Sequence, residues 1–525
     1  MSNSIGMHYF RSSPFRPVFL FLLMLTAIAL LYDFHQILFM RPIGMHQWRS
    51  CISAAFPVNL ACGGNFFTTQ TNALLADHYT SDRTVVEFPL IYFIISIFYR
   101  LFGVHEAWFR GFQIAIGFMG LVYLFKVSYF FTRNWVYAAF IPLVMFTSPV
   151  YVFYVSGFIP DVVALSLTFG GFYYFLGYSK NRRPGTWLLS MFFFLLAGLT
   201  KTSSLLPFFG LAGVALLECL NRKREGESGS FIHLSTLTII SYLGVLLLIS
   251  GWYFYAKIYS DLHGGSVSKV QIRPIWDLNL ETIRLTLEGM KMWFGMSHYH
   301  ARWFLYLSGL VFLFNLFFPG KANKFLYRLS ILIFLGAVGF TLLFFLDMRN
   351  HDYYQANNFF IFVPVYLTFF SILEKLYPRL HHSVWTKFTL LFLVLFLIAN
   401  CNKVMKFSYS ERDYNFVGSS RALEMYDMEE YLDELGIDRS RKVHCTPDPS
   451  INISLYLCNR KGLTDYGPLD HLSMEERIPL MKETGIEYLI LGSREAFRDE
   501  NIDALLGEKI GQTGNTEIFR IEKVE

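Results

Sequence analysis

Long apolar runs separated by short polar segments follow one another along the chain as far as about residue 405. Most runs are about 17–25 residues long, the length with which an α-helix crosses a hydrocarbon layer of about 30 Å. The pattern predicts a polytopic α-helical membrane protein, because lipid offers the backbone no hydrogen-bond partners. Twelve candidate spans lie near residues 15–31, 86–102, 108–131, 135–156, 160–178, 186–200, 203–219, 234–257, 303–319, 327–346, 358–376 and 386–402.

Clusters of Lys and Arg between the runs predict the orientation of the spans. Loops rich in these residues face the cytoplasm in most membrane proteins. The alternate loops and the segment after about residue 405 are then expected on the extracytoplasmic face of the plasma (inner) membrane. The basic clusters lie at 180–183, 221–225, 320–328 and 374–379, and the loops predicted outside are 34–85, 258–302 and 347–357.

The number of spans follows from the two ends of the chain. Arg11 and Arg16 precede the first run, which has no small-residue cleavage site after it, so we expect an uncleaved helix and a cytoplasmic N-terminus. Twelve crossings would return the C-terminus to the cytoplasm, against the charge pattern. We therefore predict 11 to 13 transmembrane helices, and within this range an odd number, 11 or 13. One of the segments 86–102, 108–131 and 135–156 is then expected to be re-entrant, split or miscounted. Segment 135–156 is favoured, because Pro142 and Pro149 remove backbone donors.

The tail after about residue 405 has a different pattern. "MEEYLDELGI" and "MEERIPLMKETG" predict helices, whereas "RKVHCT" and "IEYLILG" predict short strands. We therefore predict a transmembrane catalytic domain over 1–404, which includes a first external loop at about 34–85, and a small soluble extracytoplasmic α/β domain over 405–525.

Composition agrees with the membrane prediction. Hydrophobic residues make up 54% of the 525 residues, charged residues 16%, and Phe alone occurs 56 times. The net charge of +5 reports orientation and does not indicate a nucleic-acid partner.

The cysteines bear on sidedness. Cys51 and Cys62 share the first loop, and Cys445 and Cys458 share the tail. Local disulfides in both segments would indicate an oxidising compartment, but four unrelated thiols are an equal alternative. No Cys/His spacing of a metal site occurs, so we predict no metal.

Polar residues at the predicted external ends of the spans are the candidates for chemistry, because such residues are costly in a membrane protein unless they serve a site. They fall into five clusters. These are His46, Gln47, Trp48 and Arg49 with Asp77, Asp82 and Arg83; Glu87 with Pro89; Pro160 with Asp161; Lys201 within "GLTKTSS"; and Asp347, Arg349, His351, Asp352, Tyr353 and Tyr354.

Each cluster also has a purely structural interpretation. Asp161 and Glu87 could cap the helices that follow them. Lys201 could extend to the membrane interface, and Trp48 could be an interfacial anchor. His351 and the two tyrosines could belong to an aromatic belt. The functional interpretation rests on convergence, since acids, cations and an imidazole all map to one membrane face.

The order of these short motifs resembles a known family. A long first external loop, "E-x-P" at the start of a span, "PD" before another, "LTK" between apolar runs, an "HDYY" loop and an α/β tail are similar to GT-C glycosyltransferases. The resemblance covers most of the chain. It is to the glycosyltransferase family 39-like proteins, which include bacterial relatives of protein O-mannosyltransferases and of the lipid A aminoarabinose transferase.

The resemblance implies a membrane glycosyltransferase that transfers a hexose or pentose, with inversion, from a polyprenyl-phosphate carrier to an acceptor glycan, lipid or protein on the extracytoplasmic face. Arg49, Lys201 and Arg349 are the candidate cations for the carrier phosphate, and His351, Tyr353 and Tyr354 are further substrate-binding candidates. No other cofactor is expected beside the lipid-linked donor.

The base of the reaction is the point at which this chain departs from the family. Relatives carry an Asp shortly after "HQWR", whereas "HQWRSCISAAF" has none. The candidate catalytic residues are therefore Glu87, His46 and Asp161, with Asp77 and Asp82 next.

Two other classes compete with the transferase. A polytopic lipid or glycolipid transporter or flippase would have a similar number of helices but usually shows internal repeats, and no repeat is apparent. A non-catalytic scaffold would explain the missing Asp but not the paired cations and acids.

Overall fold

The computed structural model describes residues 15–225, 235–264, 272–410, 425–494 and 505–521. The chain packs as two compact units. The first unit comprises Met1–Leu38, Arg110–Trp252 and Gln271–Lys406, and the second comprises Phe39–Phe109, Tyr253–Val270 and Phe407–Glu525.

Helices account for most of the described chain. In chain order they are α1 Phe15–Leu31, α2 Phe34–Ile37, α3 Gln47–Ala61, α4 Leu90–Phe102, α5 Glu106–Thr132, α6 Trp135–Met145, α7 Pro149–Val155, α8 Asp161–Asn181, α9 Pro184–Thr200, α10 Leu206–Glu225, α11 Thr236–His263, α12 Leu280–Gly295, α13 Arg302–Phe317, α14 Lys324–Leu343, α15 Tyr354–Asn358, α16 Phe362–Leu376, α17 Pro378–His382, α18 Val384–Ser410, α19 Met428–Glu434, α20 Ile453–Leu457 and α21 Met474–Glu483.

Every predicted span coincides with helix. Among the described residues, seven helices are long and apolar enough to cross a membrane, or eight if the bent pair α6 and α7 is one span. Four further apolar helices, α1, α4, α9 and α13, are shorter. The protein is thus an integral membrane protein, while the total of 11 to 13 spans and the orientation of the termini stay predictions.

The expected irregular span is confirmed. Between α6 and α7 the chain bends by 74°. Pro149 is the first residue of α7, where a missing N–H costs nothing, and the Ser148 side chain accepts a hydrogen bond from the Tyr151 amide. Pro149 therefore marks the break, whereas Pro142 lies inside α6.

Close helix packing in the first unit depends on small residues. A Cβ at Gly120 of α5 would lie 2.6 Å from the Cα of Ser166 in α8. At Gly170 of α8, a Cβ would lie 2.6 Å from the ring of Phe193 in α9. Backbones can approach this closely only where side chains are absent.

The second unit contains two sheets. Strands β1 Thr69–Gln70 and β2 Arg83–Thr84 pair antiparallel in the first loop. The tail carries β3 Lys442–Thr446, β4 Lys461–Leu463, β5 Tyr488–Leu491, β6 Lys509–Thr513 and β7 Thr516–Arg520, in the order β4-β3-β5-β7-β6. Strand β3 is parallel to β4 and β5, whereas β7 is antiparallel to β5 and β6. The predicted helices and strands of the tail are confirmed at α19, β3, α21 and β5.

The first loop packs with the tail within the second unit. The Leu74 amide donates to the Gly462 carbonyl at 2.8 Å, and the Gly462 amide donates to the Asn72 carbonyl at 2.9 Å. This pairing adds the loop to the edge of β4. It also covers backbone groups that an open sheet edge would expose.

The sequence did not predict helix α3 in this loop or helix α12 in the loop before α13.

The cysteines do not support the sidedness argument. None of the six forms a disulfide, and all six lie among the described residues. Cys51 lies within α3 and Cys62 follows its last residue. At about 1.5 Å per residue, eleven residues along a helix separate the two by more than the roughly 7 Å that a disulfide spans. The structure therefore shows separate thiols, the second of the two alternatives that the sequence left open.

Candidate functional site

An ion pair links the first loop to the start of α4 in the second unit. Arg49 Nη2 pairs with Glu87 Oε1, and Arg49 Nη1 donates to Ser53 Oγ at 3.0 Å. The Tyr92 hydroxyl donates to the same Glu87 oxygen. Both charged side chains are largely buried, with 20% and 12% exposed. Glu87 is therefore an oriented carboxylate, and Pro89, not Glu87, occupies the cap position of α4.

The neighbours of Arg49 also have defined places. His46 is the residue before α3 and has left-handed backbone geometry with φ 55°. The ring of Trp48 meets that of Tyr466 edge to face at 5.3 Å, so Trp48 packs against the tail. The further acids of the loop lie in other pairs, Asp77 with His263 and Asp82 with Lys461.

A second cluster lies in the first unit around Lys201. Helix α9 ends at Thr200, and Lys201 follows it with an extended backbone. Its ammonium lies 3.3 Å from Asp161 Oδ1, 5.3 Å from the ring centre of Tyr353 and 4.4 Å from that of Tyr354. The structure thus brings together four of the residues that the sequence selected.

The Lys201 side chain is held by defined partners. It is 23% exposed, and that of Asp161 is 2% exposed. Two aromatic faces and one carboxylate stabilise the ammonium where water is scarce. The Asn357 amide donates to Ser203 Oγ at 2.9 Å, which ties the turn after Lys201 to α15.

The other candidate residues of the loop 347–357 lie in two separate places. The His351 ring contacts the rings of Tyr353 and Tyr354, each at 5.5 Å. Arg349 packs on α12, where a Cβ at Gly289 would lie 2.9 Å from its Cγ, and its carbonyl accepts from Trp293 Nε1 at 3.0 Å. These contacts join Arg349 to α12.

One buried contact of this region was not predicted from the sequence, although Asp352 itself was among the candidates. Asp352 accepts a hydrogen bond from the Tyr154 hydroxyl at 2.6 Å and pairs with His298 Nε2. All three residues are almost completely buried. The only sequence signal was a polar "SHYH" segment at the end of an amphipathic helix. A partner distant in sequence gives no periodic pattern, so the contact itself could not be predicted.

His300 is another buried polar residue of this region, and both of its ring nitrogens have hydrogen-bond partners. Its Nε2 lies 3.0 Å from the Val144 carbonyl, and its Nδ1 accepts from the Ala301 amide at 3.0 Å. Burial lowers the pKa of His300 to about 4, although the hydrogen bond to Val144 opposes the shift. The ring is therefore neutral at neutral pH, with its proton on Nε2.

An apolar cavity of about 420 Å³ in the first unit is lined in part by α15, the short helix that begins at Tyr354. Gln355 and Asn358 line it, and Gln355 follows Tyr354 in the chain. The remaining lining residues are mostly apolar and come from α13, α14, the turn at 359–361 and the start of α16, among them Leu305, Phe312, Phe334, Val338, Phe359 and Phe362. A cation with aromatic and acidic neighbours next to an apolar groove can hold an anionic headgroup and part of an apolar tail.

Comparisons with known proteins concern both parts of the chain. A model of the dolichyl-phosphate-mannose-protein mannosyltransferase family matches residues 86–250. Among solved structures, ArnT from Cupriavidus metallidurans bound to undecaprenyl phosphate is similar, with a TM-score of 0.60 and 12% identity over 95% of this chain and 98% of that one. Apo ArnT gives a TM-score of 0.55 with the same identity and coverage. No curated protein matches in a sequence search.

These findings confirm the resemblance to GT-C glycosyltransferases at the level of the fold. The structural likeness extends over both units and over nearly the whole length of ArnT. The family match covers α4 to α11 in part and includes Glu87, Asp161 and Lys201.

Proposed function

We propose that the protein is a membrane glycosyltransferase that moves a sugar from a polyprenyl-phosphate carrier to an acceptor on the extracytoplasmic face, with inversion. The observation that carries the proposal is Lys201, whose ammonium is held by Asp161 and two tyrosine rings. One of these tyrosines, Tyr354, begins the short helix that lines an apolar groove. The ArnT fold, which binds undecaprenyl phosphate in C. metallidurans, supports the same conclusion.

Lys201 is assigned to the carrier phosphate. When the sugar leaves the carrier, negative charge grows on the phosphate oxygens, and a cation already in position stabilises that charge without reorganisation. Asp161 keeps the ammonium oriented before the substrate arrives, and the tyrosine rings limit its motion. The sugar ring can stack on the aromatic side chains, for which His351, Tyr353 and Tyr354 are the candidates.

The groove next to Tyr354 is assigned to the first isoprene units of the carrier. Its polar end at Gln355 and Asn358 suits the phosphate end of the lipid, and its apolar walls suit the tail. About 420 Å³ holds only part of a long polyprenyl chain, so the rest would lie in the bilayer.

The Arg49 and Glu87 pair is assigned to activation of the acceptor. In the reaction, the acceptor hydroxyl oxygen attacks the anomeric carbon, the bond from this carbon to the phosphate oxygen breaks, and the hydroxyl proton passes to a base. Hydrogen bonds from Arg49 and Tyr92 orient Glu87 through Oε1. We rank Glu87 first as the base, His46 second and Asp161 third, since Asp161 already orients Lys201.

The domain roles complete the proposal. Residues 1–404 carry the reaction, and 405–525 form the extracytoplasmic α/β domain that supports the first loop. The hydrogen bonds between 72–74 and Gly462 favour this supporting role.

The test is turnover by the purified protein in liposomes that contain a radiolabelled polyprenyl-phosphate sugar and an extract of cell-envelope acceptors. We expect the label to leave the lipid and appear on an acceptor, with free polyprenyl phosphate as the second product. Movement of intact labelled lipid between leaflets without cleavage would instead identify a flippase.

A further inference from the structure

Asp352 forms a buried link between three segments of the first unit. Its two carboxylate oxygens have different partners, Tyr154 Oη on Oδ1 and His298 Nε2 on Oδ2. Tyr154 belongs to α7, the second half of the broken span, and His298 lies between α12 and α13. A buried carboxylate is tolerated only where donors replace water, so both partners hold Asp352 in one place.

Asp352 is also the residue before the tyrosines that surround Lys201. The Tyr353 ring meets the Tyr154 ring edge to face at 5.6 Å, and Tyr353 and Tyr354 pack against each other at 5.1 Å. The same two rings lie over the Lys201 ammonium. A shift of Asp352 would therefore move the aromatic wall of the cation.

The segment around His298 is itself fixed to the broken span. The His298 carbonyl accepts from the Val150 amide at 3.0 Å, and Ser148 Oγ donates to the Tyr299 carbonyl at 2.6 Å. These bonds use one backbone amide and one side-chain hydroxyl at the 74° bend, where regular helix bonding stops. The bend and the 298–300 segment thus form one braced structure that presents both donors to Asp352.

We propose that Tyr154 and His298 are positioning residues that act through Asp352 to hold Tyr353 and Tyr354 over Lys201, and so set the affinity for a lipid-linked phosphate. This inference rests on the proposed role of Lys201. Loss of either donor leaves the Asp352 carboxylate poorly satisfied, and the segment that carries the tyrosines moves to regain a partner. The ammonium then loses its preorganised surroundings, and the phosphate binds less tightly.

The experiment measures the affinity of the purified full-length protein for undecaprenyl phosphate in detergent. Tyr154→Phe, which removes one hydroxyl and keeps the ring, and His298→Leu should each weaken binding by roughly tenfold. His298→Gln, whose amide can still donate, should bind more tightly than His298→Leu. Tyr137→Phe is the matched control, because Tyr137 is equally buried and its hydroxyl donates to the distant His381 carbonyl.

A double variant separates positioning from general damage. In a Lys201→Ala background, Tyr154→Phe should cause no further loss of residual affinity, because the residue through which it acts is gone. Parental affinity in both Tyr154→Phe and His298→Leu would overturn the proposal, as would an equal loss in Tyr137→Phe. Failure of the parental protein to bind undecaprenyl phosphate would refute the role of Lys201 as well.

Discussion

Lys201 is the residue on which the assignment of the carrier phosphate depends. Replacement of a cation that binds a phosphate in a partly dry site should cost about 2–5 kcal/mol of binding free energy. We therefore expect Lys201→Ala to weaken binding of undecaprenyl phosphate strongly, as measured by ligand-induced thermal stabilisation. Lys257→Ala is the control, because Lys257 also pairs with an Asp but in an exposed place. Equal affinity in the two variants would remove Lys201 from the phosphate site.

Arg49 and Arg349 give a second comparison among the predicted cations. Arg49 is bound to Glu87, and Arg349 packs on α12. We expect Arg49→Ala and Arg349→Ala to weaken donor binding as well, because both cations are candidates for the carrier phosphate. A normal affinity in either variant would restrict the phosphate site to the remaining cations.

The candidate base is tested by the rate of transfer. Loss of a general base typically lowers a rate by about 10²–10⁴. We expect this loss in Glu87→Gln under single-turnover conditions, with donor binding unchanged, and smaller losses in His46→Ala and Asp161→Asn. A parental rate in Glu87→Gln would make Glu87 a structural partner of Arg49, and parental rates in all three would direct the search to Asp77 and Asp82.

At the scale of residues, the sequence predicted the polar and charged side chains at the ends of the predicted spans. Asp161, Lys201, Tyr353 and Tyr354 were selected because polar groups in a membrane protein are costly, and the structure brings them into contact. Their supporting contacts could not be predicted, because Asp352 was selected but its partner His298 lies 54 positions away and follows no periodic pattern.

At the scale of elements, helix contacts through glycine are open to a direct test. Gly120→Ala would force a methyl group against the backbone of Ser166, and overpacking of this kind costs about 1–3 kcal/mol. We expect a lower midpoint of thermal unfolding in detergent. Gly251→Ala, in α11, should leave the midpoint unchanged, because nothing lies within 4 Å of the added Cβ. Equal midpoints for both variants would contradict close packing of α5 on α8.

Elements with a strong pattern were predicted, and those without one were not. Apolar runs located the apolar helices, and Pro149 marks the break between α6 and α7. Helix α3 was not predicted, since its sequence "QWRSCISAAFPVNLA" mixes polar and apolar residues and contains Pro57. It is stabilised by contacts with the tail, such as that of Trp48 with Tyr466, which local sequence does not encode.

At the scale of the whole molecule, the orientation in the membrane rests on charge alone, because the cysteines form no disulfide. The same cysteines nevertheless offer a test. Cys62 in the first loop and Cys219 near the basic cluster 221–225 are exposed, whereas Cys51, Cys401, Cys445 and Cys458 are buried. The positive-inside rule puts Cys62 outside and Cys219 inside.

We therefore expect a membrane-impermeant maleimide to label Cys62 in spheroplasts and to label Cys219 only after the membrane is opened. Cys62→Ser should abolish the first signal and Cys219→Ser the second, while the buried thiols stay unlabelled until the protein is denatured. A reporter fused after Glu525 should be active only outside the cytoplasm. A helix pair bent by 74° can either cross the membrane or return to the same face. The sides of the membrane on which Cys62, Cys219 and the reporter lie therefore decide whether the number of crossings is odd or even. Labelling of Cys219 in sealed spheroplasts, or a cytoplasmic reporter, would reverse the predicted orientation and move the Lys201 cluster to the other face of the membrane.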